Sequence, residues 1–198
     1  MMPLTERKIV PADIMPVAQW EAVRKQKRTE LIAIKKLRRV EVGPFATFYF
    51  ESFDTMLAQV QEMLRIEKGG DAQLADELEA YNPLIPQGRE LVATLMFEID
   101  DPVRRANVLY RLANVEATAF FDIGGVKVHA VAEDDADRVT EDGKTSSVHF
   151  VHFPFTSDAI AKFKDPATQV LLGLAHDNYA HMAVLSSASR DALAKDFA

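Results

Sequence analysis

Five histidines are the residues whose type and placement could do chemistry, at positions 129, 149, 152, 176 and 181. All fall in the C-terminal, strand-rich part of the chain, so strand geometry decides which of them can meet. His149 and His152 are three apart and point to opposite faces of a regular strand. His176 and His181 flank a turn. A hairpin loop of two residues (Asn178, Tyr179) or four (Asp177 to Ala180) sets them directly opposite each other, about 4.5–5.5 Å apart at Cβ. A three-residue loop slides the register and separates them. Two imidazoles so placed can share a divalent ion such as zinc, iron or manganese. His149 is the first choice for a third ligand and Glu98 the second. The competing expectation is that these are hydrogen-bonded rim or core histidines, because no clustered metal-binding motif accompanies them.

Two further groups of charge stand out. Glu98 and Asp100 share one face of a strand, opposite Phe97 and Ile99, which suits cation binding or acid–base work but equally the wet side of an amphipathic strand. Residues 16–39 hold eight Lys or Arg and two Glu in a chain whose net charge is −7. At 100° per residue, Arg24, Lys25, Arg28, Lys35, Lys36 and Arg39 fall on one arc beside an apolar stripe of Trp20, Val23, Leu31 and Ile34. Such an arc suits an anion, a phosphate or an acidic protein partner; the competing expectation is a solvated face that offsets an acidic body. Lys27 and Arg38 fall within the stripe itself, so they must snorkel or pair with carboxylates. The overall negative charge disfavours nucleic acid and anionic membranes as general partners.

Cysteine is absent, which excludes disulfides, thiolate-held clusters and thiol catalysis. No phosphate-binding loop, dinucleotide fingerprint or nucleophile elbow occurs. The opening MMPLTERKIVPADIMP has no apolar segment of a secretory leader, and no run approaches the length of a membrane helix; a cytoplasmic protein is expected.

A helix covers 16–39 and stops at Gly43-Pro44. Residues 45–51 form a strand, and Ser52 caps a helix to about Ile66. A helix at 72–80, a stiff connector at 81–86 and a strand at 90–99 come next. Asp101-Pro102 opens a helix to about Ala113. Strands at 117–123 and 126–131 flank Gly124-Gly125 as a tight hairpin. The acidic segment 133–144 reads as a solvated loop whose spacing does not match a calcium loop. A strand at 146–153, a short helix capped by Thr156, the hairpin 169–176 with 180–185, and a helix at 187–196 complete the chain. Strands joined by short turns predict one domain over 1–198 of α+β class, a mainly antiparallel sheet with packed helices and a long N-terminal basic helix.

The segments KIVPADIMP, RRVEVGPFATFYFE, IEKGG, YNPLIPQGRELVATLMFEIDDPVRR, SSVHFVHFPF and HMAVL resemble a bacterial family known only as domain-of-unknown-function family 3501. The resemblance spans nearly the whole chain and carries no catalytic residues. Genes of that family often lie beside those for rubrerythrin-like di-iron proteins and iron–sulfur oxidoreductase subunits. The resemblance therefore implies a role near peroxide defence or electron transfer. The function expected first is an accessory protein that docks through the basic helix onto an acidic redox partner. A small metal-dependent enzyme built on the histidines is the alternative, and an RNA-contacting protein the weaker one.

Overall fold

The computed structural model describes residues 7–132 and 143–198, so the acidic segment expected as a loop lies almost entirely outside the described residues. Helix α1 (Val17–Leu37) begins behind Pro16 and carries Lys35 and Lys36 in its last turn, where they complement the carbonyl end of the helix dipole. It stops sooner than the charge pattern predicts. Arg38 caps it, and Arg39–Val42 forms strand β1, with Val40 and Val42 buried and Arg39 and Glu41 exposed. Gly43-Pro44 therefore turns a hairpin instead of ending a helix: β1 pairs antiparallel with β2 (Ala46–Phe50).

Ser52 caps α2 (Phe53–Glu67) as its sequence predicts, accepting from the Thr55 amide while the Thr55 hydroxyl accepts from the Ser52 amide. Then come α3 (Gly70–Tyr81), β3 (Glu90–Phe97) and α4 (Pro102–Leu109), the last capped by Asp101. Strands β4 (Ala119–Ile123) and β5 (Val126–His129) are joined at Gly124-Gly125, both at positive φ, the conformation a two-residue hairpin turn needs. The rest comprises β6 (Val131–Ala132), β7 (Val148–Pro154), α5 (Ser157–Lys164), β8 (Val170–His176), β9 (Tyr179–Val184) and α6 (Ser187–Leu193).

Two antiparallel sheets result, not one. The first runs β1-β2-β3-β7-β6 and the second β5-β4-β8-β9. Their facing sides share an aromatic core in which the Phe121 ring meets Phe50 and Phe153 of the opposite sheet at 5.8 and 4.8 Å. Phe155, Phe163 and Phe197 extend that core. Tyr179 ties the sheets at one corner. Its hydroxyl donates to Val42 O and accepts from the Phe45 and Ala46 amides. Gly43 must be glycine there, because it holds φ +71 and a Cβ would stand 2.6 Å from the His181 ring.

The other face of the first sheet is covered by helix. Met56, Val60 and Leu64 of α2 pack on Val92 with Ile9, Leu84 and Ile85. Helix α1 lies outermost, on α2. Among the described residues no helix is long and apolar enough to cross a membrane.

Candidate docking site on the basic helix

The histidines do not converge. The β8–β9 loop has two residues, Asp177 and Asn178, one position earlier than the spacing predicts. That places His176 opposite Tyr179 and His181 opposite Leu174. The pair is thus diagonal, and each ring is occupied differently. His176 Nε2 donates to Ala113 O at 3.2 Å, and its Nδ1 accepts from the Asn178 amide at 3.1 Å. His181 stacks edge-on against Tyr179 at 4.6 Å. His149, opposite Leu95 on β7, is buried in the interior, with Nε2 2.9 Å from Ser146 O and Nδ1 3.4 Å from Glu116 Oε2. Glu98 lies on the far side of the first sheet. Among the described residues no three His, Asp or Glu side chains gather closely enough to hold a metal ion.

Glu98 belongs to a hydrogen-bonded cluster on the open end of that sheet. Its carboxylate accepts from Thr47 Oγ1 at 2.6 Å and from the Tyr49 hydroxyl at 2.8 Å, with Arg39 3.5 Å away. The Thr47 bond foremost holds this carboxyl below its ordinary range. Arg39, expected on the helical arc, instead sits on β1, pairs with Glu41 at 2.9 Å and donates to the Tyr49 oxygen.

The basic helix is anchored at both ends by ion pairs. Near its start Arg24 grips Glu62 of α2 with two bonds, 2.7 and 2.9 Å, and the Trp20 indole donates to the same carboxylate at 3.0 Å. These donors, Arg24 foremost, pull the Glu62 pKa down to about 2. At its end the buried Arg38 pairs with Asp196 and donates to Phe50 O and Glu51 O. Burial pushes the Asp196 carboxyl up and the Arg38 charge pulls it part of the way back. Arg38 thus pairs with a carboxylate, as a cation in an apolar stripe must. Lys27 also pairs with a carboxylate, Glu30 at 3.1 Å, but at the exposed surface.

Between the anchors α1 touches the body sparingly. Trp20 is the one buried residue of its 21. Clefts of about 230 and 200 Å³ run along its two flanks against α2. The first is lined by Arg24, Arg28, Lys35 and Glu62. Through Lys35 and Thr55 it continues into a third cleft of about 210 Å³, walled by Arg38, Tyr49, Glu51 and Thr94. Four members of the arc, Lys25, Arg28, Lys35 and Lys36, are exposed and make no ion pair among the described residues. The sequence found this arc through its helical spacing. It missed Glu62 and Asp196, whose pairing depends on tertiary contacts 38 and 158 residues away in sequence.

A family model described as "Protein of unknown function (DUF3501)" matches residues 8–197. The chain is also similar to a crystal structure from Burkholderia pseudomallei K96243, described as a novel protein of unknown function. The TM-score is 0.88 at 31% identity, over 96% of this chain and 100% of that one. No curated protein matches the chain at a significant level.

Proposed function

As the chain belongs to the DUF3501 family, whose description assigns no activity, we propose a function from its own surface: it is a cytoplasmic accessory protein that docks an acidic partner on the basic face of α1. The observation that carries this reading is the set of cations Lys25, Arg28, Lys35 and Lys36, which form no ion pair among the described residues, on a helix whose other charges are already committed. Anchoring by Arg24–Glu62 and Arg38–Asp196 keeps that face turned to solvent, so little ordering cost remains for a partner to meet. The partner is an acidic redox protein of the rubrerythrin-like or iron–sulfur oxidoreductase type, the class that the family resemblance implies.

Magnitudes set the character of the complex. Each exposed ion pair contributes only about 0.2–1 kcal/mol, so four give weak, reversible docking that salt screens within about 8–10 Å. Fast exchange of this kind suits an accessory role. The test is titration calorimetry of the intact protein against a purified rubrerythrin-like protein from the same cell. Binding that weakens steeply with ionic strength and vanishes in Lys25→Glu/Arg28→Glu/Lys35→Glu/Lys36→Glu is expected. Binding that ignores both salt and the fourfold reversal contradicts the proposal.

A further inference from the structure

We infer that the element received by α1 is itself an acidic helix, laid lengthwise on a seam centred on Ile32; the inference rests on the docking reading and specifies its occupant. Ile32 is 65% exposed, in the middle of the cationic face. Together with Lys25, Arg28 and Lys35 it forms a series spaced three, four and three residues apart. This is the spacing by which one helix presents a continuous line of side chains to another at a shallow crossing angle. Over the eleven residues concerned, the line drifts little around the helix.

The axial distances separate a helix from other occupants. With a rise of about 1.5 Å per residue, Arg28 lies roughly 6 Å before Ile32 and Lys35 roughly 4.5 Å after it. A partner helix repeats its own seam at these alternating steps. An extended strand presents same-face side chains at an even interval of about 6.6–6.8 Å and falls out of step. The charge sets the partner's composition: carboxylates at the seam positions facing Lys25, Arg28 and Lys35, and one apolar side chain against Ile32. Lys36 supports the acidic flank. Glu21, one turn before Lys25, is already tied to Arg65 at 3.2 Å and ends the cationic span. A membrane surface fits poorly. The broad apolar stripe of α1 is turned to α2, and of its large apolar side chains only Ile32 in the seam and Val17 and Leu37 near the ends are exposed.

Two lactam-bridged helical peptides of identical composition provide the test. One carries Glu, Glu, Leu and Glu at matching three–four–three positions; the other carries the same residues off that seam. By fluorescence anisotropy at low salt the matched peptide should bind at least about tenfold more tightly. Ile32→Asn, at an exposed site that leaves folding intact, should erase the preference while sparing charge-driven binding. Equal affinity for the two peptides overturns the helical seam and leaves acidic docking standing; binding of neither at low salt sinks both. Tighter binding to anionic phospholipid vesicles than to the matched peptide overturns the protein occupant. The exposed acids Asp71, Asp76 and Glu79 of α3 offer a second copy as a rival. Self-association that Asp76→Lys/Glu79→Lys abolishes would make the occupant this chain itself and overturn a foreign one.

Discussion

At the Glu62 carboxylate, Trp20, Arg24 and Arg65 converge from two helices, and this one side chain seats the start of α1. Its pKa falls from 4.5 to about 2 on folding. A carboxyl with a depressed folded value contributes stability that is complete above its unfolded pKa and is lost as pH falls through the folded one. Loosening of α1 is therefore expected between pH 4.5 and about 2. The chain's single tryptophan reports it, since the Trp20 indole bonds this carboxylate. Glu62→Gln should flatten the acid-induced change in Trp20 fluorescence over that window, and an unchanged titration would refute the role. Little of this was legible in the sequence, because Glu62 is an ordinary position on α2 until α1 lies across it. The histidine pair shows the same limit from the other side. Its spacing predicts a hairpin, but a one-residue shift of the loop sets the two rings on a diagonal instead of face to face.

Among the elements, α1 illustrates what periodicity can and cannot say. Its amphipathic stripe and basic arc were visible at 3.6-residue spacing, and the caps at Ser52, Asp101 and Thr156 were visible as residue types. The α1–β1 boundary was not, because Arg38 and Arg39 continue the helical charge pattern while Val40 and Val42 begin a strand alternation too short to register. What overrides local preference is Arg38 itself, buried at the junction and bonded to Asp196 from the other end of the chain. Removing one member of a buried pair strands the other charge, so Arg38→Ala should cost about 3–5 kcal/mol. The double variant Arg38→Ala/Asp196→Ala should lose clearly less than the two single losses added together, because each variant deletes the same interaction. Urea denaturation of the four proteins checks this, and strict additivity would show that the pair does not act as a unit.

For the whole molecule, the α+β class and the antiparallel pairing followed from short turns between strands, whereas the division into two stacked sheets did not. That division depends on β5 and β6, adjacent in sequence, joining different sheets, and no local pattern marks such a crossing. The aromatic contact that holds the stack is nonetheless testable: Phe121→Ala, at the meeting of both sheets, should destabilise the protein by about 3–5 kcal/mol, read from the urea midpoint. The two surfaces of the molecule differ in kind. One carries the exposed cations of α1; the other, the outer face of β9, exposes Met182 and Val184. Lysine reactivity toward an amine-specific label, compared with and without a bound acidic partner, tests most directly which surface the partner uses. Docking on α1 predicts protection of Lys25, Lys35 and Lys36 with Lys127 of β5 unchanged. Protection centred on Lys127, or none on α1 in a complex that is demonstrably formed, would contradict it.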